Sequence, residues 1–144
     1  MVEKSIATKL PGTTAGRVLF VVSEDWYFVS HRIRFARHLL ENGYEVAVAC
    51  RDSGACSRIA KEGIAVLPLE IDRESTSLGV VFREFRTLRK TFRRYQPDLV
   101  HTVALRMISL TWLCRISGVS FPTVNAVAGM GTLFSGQKLS WKLR

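Results

Sequence analysis

The chain is poor in cysteine, with three residues, and in proline, with four. Cys50, Cys56 and Cys114 form no CxxC pair, and their spacing fits no zinc-ligand pattern. An odd, unpaired set reads as reduced thiols in a cytosolic setting, with Cys50 and Cys114 as small core residues. No metal-ligand cluster is evident, so no bound metal is expected. Acids are also scarce. Twelve Asp and Glu face 21 Lys and Arg, a formal charge of +9. That balance favours anionic partners: nucleic acid, phosphorylated small molecules or an anionic membrane surface. It does not choose among them. Long apolar runs are missing too. The longest, Val103–Cys114, is interrupted by Arg106 and is too short to span a bilayer. Residues 1–16 mix charge, Thr, Gly and Pro without an apolar signal-peptide centre, and are expected to be a flexible leader. There is no internal repeat and no low-complexity tract.

Several catalytic fingerprints are absent as well. No GxxxxGK[ST] phosphate loop and no GxSxG nucleophile elbow occur. "GMGTLF" begins like GxGxxG, but Phe134 stands at the third glycine position. It also follows the last predicted strand instead of the first, and no acid lies about twenty residues on. A nicotinamide-binding protein of the dehydrogenase type is therefore poorly supported.

What is present is an alternation of strands and helices. Apolar residues make up 47% of 144, enough for one domain with a real core. "RVLFVV" (Arg17–Val22) is a short, β-branched apolar run and reads as a buried parallel strand. Val29, Ile33, Ala36 and Leu40 then share one helical face, predicting a helix over Val29–Asn42 that stops at Gly43. Tyr44–Cys50 and Ile64–Glu70 read as strands around a short helix at Ala55–Glu62. Pro68 argues for a place near the end of the latter strand or at the sheet edge. Leu78–Tyr95 is a long helix ended by Pro97. Asp98–Val103, a helix over Leu105–Ser117 and a strand over Pro122–Val127 complete the pattern. Parallel strands need helical crossovers of one hand. The expected fold class is α/β: a Rossmann-like parallel sheet of about five strands, ordered 3-2-1-4-5, with helices on both faces.

Ligands of such sheets bind beyond the carboxyl ends of the strands. Ser23, Glu24, Asp25, Trp26 and Tyr27 follow the first strand, with His31 in the first turn of the next helix. His101 and Arg106 follow the fourth, and Asn125, Gly129 and Gly131 the fifth. Aromatics with polar tips suit a wall that stacks on a sugar or base and still meets water. A helix start offers free N–H groups to an anion. Plainer roles stay open. Glu24 and Asp25 serve equally as helix-capping acids. His31 suits a solvated helix end, and His101 a core histidine. Trp26 and Tyr27 suit plugs for the sheet end, and Asn125 a partner for loop backbone.

The helix Leu78–Tyr95 carries Arg83, Arg86, Arg89, Lys90, Arg93 and Arg94 against a single Glu84. Val81, Phe85, Leu88 and Phe92 hold its core spacing. A solvated face and attraction to acidic lipid head groups both fit, each cation near an anionic leaflet being worth roughly 1 kcal/mol. Nucleic acid ranks last, since no helix-turn-helix, RNP or KH pattern occurs.

Three segments in order carry a resemblance: "SEDWYFVSHRIRFARHLLENGYEVAVA", "PDLVHTVALRMI" and "VNAVAGMGTLF". Together, from about Arg17 to Phe134, they resemble the acceptor-side half of family 4 glycosyltransferases, retaining enzymes of the GT-B fold. The resemblance implies a domain over 17–144 that is one half of a two-domain enzyme. It implies transfer of a sugar from a UDP- or GDP-sugar to a lipid-linked or polysaccharide acceptor, in capsule or exopolysaccharide synthesis. No bound cofactor is expected beyond that co-substrate. By position, Glu24, Asp25, Trp26, Ser30 and His31 match the first motif, His101 the second, and Asn125, Gly129 and Gly131 the third. Arg106 stands where the family usually has Lys, and Met107 where it has Pro. His101 and His31 are the candidate catalytic groups; the rest, with Tyr27, are expected to bind acceptor or sugar. Family members commonly dock on membranes through a basic, apolar patch, which places the chain in the cytoplasm at the inner face of the plasma membrane. A donor-binding half carrying a glutamate pair is not found before Arg144. A truncated product or one piece of a split enzyme, with little activity alone, is therefore expected. The alternative is a non-enzymatic membrane- or partner-binding module derived from that fold.

Overall fold

The computed structural model describes residues 14–72, 75 and 77–128. Five strands form one parallel sheet: β1 (Arg17–Glu24), β2 (Glu45–Arg51), β3 (Ala65–Pro68), β4 (Leu99–Val103) and β5 (Thr123–Ala126). Their order is β3-β2-β1-β4-β5, as the alternation of elements required. β1 lies at the centre, and its Leu19, Phe20, Val21 and Val22 are fully buried. A strand covered on both faces has no use for polar alternation, which is why its sequence is an unbroken apolar run.

Helices cover both faces. On one side α1 (Asp25–His31), α2 (Ile33–Glu41) and α3 (Cys56–Lys61) close over Val18, Phe20, Val22, Val46 and Val48. On the other α4 (Leu78–Tyr95) and α5 (Leu105–Ile116) close over Leu19, Val21, Ala47, Ala49 and Val100. Alternate residues of each strand thus feed separate cores. Phe28, Phe20 and Phe92 are the largest fully buried side chains.

Two predicted elements differ most. The helix expected over Val29–Asn42 starts four residues earlier, at Asp25, and breaks at Arg32 (φ −125°, ψ −18°) into α1 and α2. Arg32 N still donates to Phe28 O and Ala36 N to Arg32 O, so the break is a kink within a continuous run of hydrogen bonds. β3 is shorter than expected, four residues on the sheet edge with Pro68 at its end. α4 has the predicted bounds. Its Ser77 side chain accepts from Val80 N at 3.4 Å, and Gln96 ends it in a left-handed conformation just before Pro97.

Candidate functional site

The β1–α1 corner is built around one carboxylate. Asp25 is fully buried at the start of α1. One oxygen accepts from Trp26 N at 2.7 Å and from the Ser53 hydroxyl; the other accepts from Ser53 N at 2.9 Å and Ala55 N at 2.6 Å. Burial alone raises its pKa. The Ser53 hydroxyl and the three backbone donors outweigh that and hold it well below the usual carboxylate range. Asp25, expected at the acceptor site, therefore faces inward and joins the β1–α1 corner to the β2–α3 loop. All of its lone pairs are engaged within the protein.

Beyond that corner Trp26 faces out, while Glu24 stays buried. A cavity of about 210 Å³ opens at the carboxyl ends of β1 and β4, lined by Val22, Ser23, Glu24, Trp26, Tyr27, Val103, Ala104 and Ala128. It lies where chain order reverses across the sheet, between β1 and β4. Trp26 is 50% exposed and meets Tyr27 edge-on, ring centres 6.1 Å apart. Tyr27 in turn stacks on His31 at 4.4 Å. That is an i, i+4 pair, which one α-helix turn aligns. His31 sits at the C-terminal end of α1, not in the first turn of the expected helix, and its Nδ1 lies 3.3 Å from Tyr27 O. The Ser30 hydroxyl donates to Trp26 O at 2.9 Å. Glu24 is buried with its carboxylate 3.7 Å from Arg51.

Three predicted residues lie apart from this cavity. His101 pairs in register with Phe20, mid-strand, and its ring sits 5.2 Å from Phe20 and 6.3 Å from Phe35. Burial, and then the Arg32 charge, push its pKa below the ordinary value. Its Nε2 is buried without a hydrogen-bond partner, as is Arg32 Nε. Asn125 pairs in register with Thr102, whose hydroxyl donates to its Oδ1. Asn125 therefore shares the α5 face and points away from His101, which is one residue out of phase. Arg106 is committed on that same face. Its Nε donates to Glu84 at 3.1 Å, its Nη2 to both Glu84 oxygens at 2.9 Å, and its two terminal nitrogens to Ser75 O at 3.2 Å. Glu84 is buried and also accepts from Asp72 N. This fork–fork pair fastens α5 to α4. Arg106, expected to bind acceptor or sugar, is engaged here within the protein. Gly129 and Gly131 lie outside the described residues.

The glycosyl transferase 4-like family model matches residues 17–144. The chain belongs to that family. Among curated protein sequences nothing matches. Solved structures share the fold. The glycotransferase of kitacinnamycin superposes with a TM-score of 0.61 at 16% identity, over 78% of this chain and 30% of that one. MurG of Acinetobacter baumannii gives 0.58 at 15%, over 76% and 34%. The C-terminal domain of a Pyrococcus furiosus hydrogenase gives 0.55 at 15%, over 82% and 96%. Identities this low establish the sheet and its helices and nothing of chemistry. The chain spans about a third of the length of the kitacinnamycin glycotransferase and of MurG.

Within this glycosyl transferase 4-like domain, Val103, Ala104 and Ala128 are wall residues that sequence reasoning missed. Ala104 has φ 73° and ψ 146°, a conformation that costs a non-glycine residue about 1–3 kcal/mol. Its N–H still donates to Ala126 O at 3.1 Å. This strain stands at the rim of the crevice, and no sequence signal marks an alanine for it.

The basic helix divides. Arg89 turns inward and donates to Ser117 O at 2.9 Å, leaving the expected cationic surface. Arg83, Arg86, Lys90, Arg93 and Arg94 are exposed. Beside them an open groove of about 860 Å³ runs between α4 and α5, lined by Leu78, Val81, Phe82, Phe85, Leu113 and Ile116. Leu78 is 87% exposed and Phe82 58%. The Arg86 guanidinium lies 5.9 Å from the Phe82 ring centre.

Proposed function

We propose that this domain is the acceptor-side half of a retaining glycosyltransferase. The reaction moves a sugar from a UDP- or GDP-sugar to a lipid-linked or polysaccharide acceptor, within capsule or exopolysaccharide synthesis. The observation that carries the reading is the crevice at the ends of β1 and β4, walled by Trp26 and Tyr27 and bordered by Glu24. An indole and a phenol side by side give the apolar face of a pyranose a surface to lie on, while the phenol oxygen takes one of its hydroxyls.

Retention passes through an oxocarbenium-like state while the leaving diphosphate gathers charge. His31, exposed beside Tyr27, orients an acceptor hydroxyl or carries its proton. His101 lies apart from this crevice with its Nε2 buried, and no step in the transfer is assigned to it. Stabilisation of the leaving diphosphate is assigned to the donor-binding half, because Arg106 is already paired with Glu84. The domain alone has little turnover. Transfer of radiolabelled sugar by the chain, with and without a separately supplied donor-binding half, tests this. Full transfer by the chain alone overturns it.

A second reading concerns location. The cations of α4 beside an exposed apolar groove favour a peripheral site on an anionic membrane at the cytoplasmic face. Among the described residues no helix is long and apolar enough to cross a membrane. Pelleting with anionic but not zwitterionic vesicles at low salt is expected; salt-independent or absent pelleting overturns the docking.

A further inference from the structure

At the β3 edge of the sheet, away from the crevice between β1 and β4, another cavity of about 500 Å³ opens against the second half of α4. Thr87, Lys90, Thr91 and Arg94 line it at helical spacing, so one stripe of α4 faces the strand. Both threonine hydroxyls donate back into the helix, to Arg83 O at 3.0 Å and to Thr87 O at 3.1 Å. The Tyr95 hydroxyl is turned to Glu45 O at 3.5 Å. The side-chain donors left to the cavity are the Lys90 ammonium and the Arg94 guanidinium.

The strand supplies the opposite wall and one more donor. Leu69 N donates to Cys50 O at 2.8 Å, and Cys50 pairs in register with Pro68. By the alternation of a parallel strand, Leu67 also turns its N–H to β2, and Val66 turns its own to the free edge. Pro68 falls on that same edge, where its missing N–H breaks no ladder bond and keeps a further strand from pairing there. Among the described residues neither Lys90 nor Arg94 has an acidic partner, and no carboxylate lines the cavity. Like charges one helical turn apart repel each other, and an anion held between them reverses that. We propose that Lys90, Arg94 and the Val66 N–H bind the phosphate of an anionic amphiphile, whose apolar part lies along Val66, Leu67 and Pro68.

Charge-assisted hydrogen bonds from a guanidinium and an ammonium to one phosphate are the strong kind, and the cavity has room for an ester substituent beside it. A phospholipid head group and a prenyl diphosphate share this chemistry. The inference rests on the membrane reading for the presence of a lipid, but it concerns a cavity on the β3 side of α4 and not the apolar groove toward α5. It is tested with soluble ligands, so that the two readings fail separately.

The test is calorimetric titration of the chain with monomeric dihexanoyl phosphatidate, with farnesyl diphosphate and with inorganic phosphate. One saturable site is expected for an amphiphile, and the tighter of the two names the source. It should bind about tenfold tighter than inorganic phosphate, the gain from burying about two CH₂ groups. Lys90→Gln and Arg94→Gln, both exposed positions, should each weaken binding about tenfold, the loss of one charged hydrogen bond. The double variant Arg83→Gln with Arg86→Gln removes as much charge outside the cavity and should leave the affinity unchanged. In ¹⁵N spectra the Val66 amide should shift as the site fills. Equal weakening in the Arg83 and Arg86 variant, inorganic phosphate binding as tightly as both amphiphiles, an unmoved Val66 amide, or no saturable binding overturns the site. Vesicle pelleting lost while this binding persists removes the docking and leaves the site standing.

Discussion

Two buried carboxylates secure the two faces of the sheet, and they do so by opposite electrostatics. Asp25 is held by a hydroxyl and three backbone N–H groups. Glu84 is held by a guanidinium, with Asp72 N in support. The first is a charge in a cradle of neutral dipoles and the second is one half of an ion pair. The difference predicts how each fails. Removing Arg106 leaves a charge buried without compensation, whereas neutralising Asp25 leaves donors without acceptors.

Arg106→Leu should therefore show the largest effect, about 3–5 kcal/mol of lost stability by denaturant unfolding. Adding Glu84→Leu should recover most of it, since an apolar pair of similar size replaces a buried ion pair at little cost. A double variant no better than the single would erase the distinction between the two faces. Asp25→Asn should cost less, about 2–3 kcal/mol, because one amide oxygen still accepts while its NH₂ opposes the Ser53 or Ala55 donor. The acid limb sharpens the contrast. The folded pKa of Asp25 is depressed, so its contribution is complete above the ordinary value of 3.8 and fades as pH falls toward the folded value. His101 is also depressed. The unfolded chain binds its proton first, and stability falls as pH drops through 6.5. His101→Phe should flatten that slope between neutrality and pH 5, roughly, leaving the steeper loss below pH 4, roughly, to Asp25. An unchanged slope in urea titrations would contradict the burial of that imidazole.

Much of this fold could be read from the sequence, and the reason is physical. β1 is buried on both faces, so its apolar run needs no tertiary information, and the strand order follows from one-handed crossovers. The bounds of α4 were legible because Ser77 caps it and Pro97 forbids its continuation. The site was less legible, because direction is not written in order. Glu24, Trp26 and Tyr27 were placed at the crevice, but Asp25 between them turns inward, since only a helix beginning at once after β1 aims its side chain at Ser53. Arg106 is the second residue of α5, and its partner is Glu84, 22 residues away in sequence. The single acid of a basic helix was the available clue. Asn125 and His101 part company by the parity of β4 and β5, which depends on register. Nothing in the sequence marks Ala104 as strained.

Ala104→Gly is the smallest stability change and has the opposite sign. Relief of the positive φ should stabilise by about 1 kcal/mol after the added freedom of the unfolded chain is subtracted. A melting temperature that falls would show that the rim is not strained in solution.

The central claim is that the crevice between β1 and β4 receives the sugar acceptor, and the most direct measurement is transfer of radiolabelled sugar to a lipid-linked acceptor by this chain combined with a donor-binding half, for wild type, Trp26→Ala and Arg106→Lys. The account predicts that Trp26→Ala lowers kcat/KM by about tenfold through loss of ring stacking while the fold is kept, and that Arg106→Lys alters stability with kcat/KM unchanged once folded protein is counted. Wild-type transfer by Trp26→Ala, with activity lost in folded Arg106→Lys, would place the acceptor on the other face of the sheet and contradict the account.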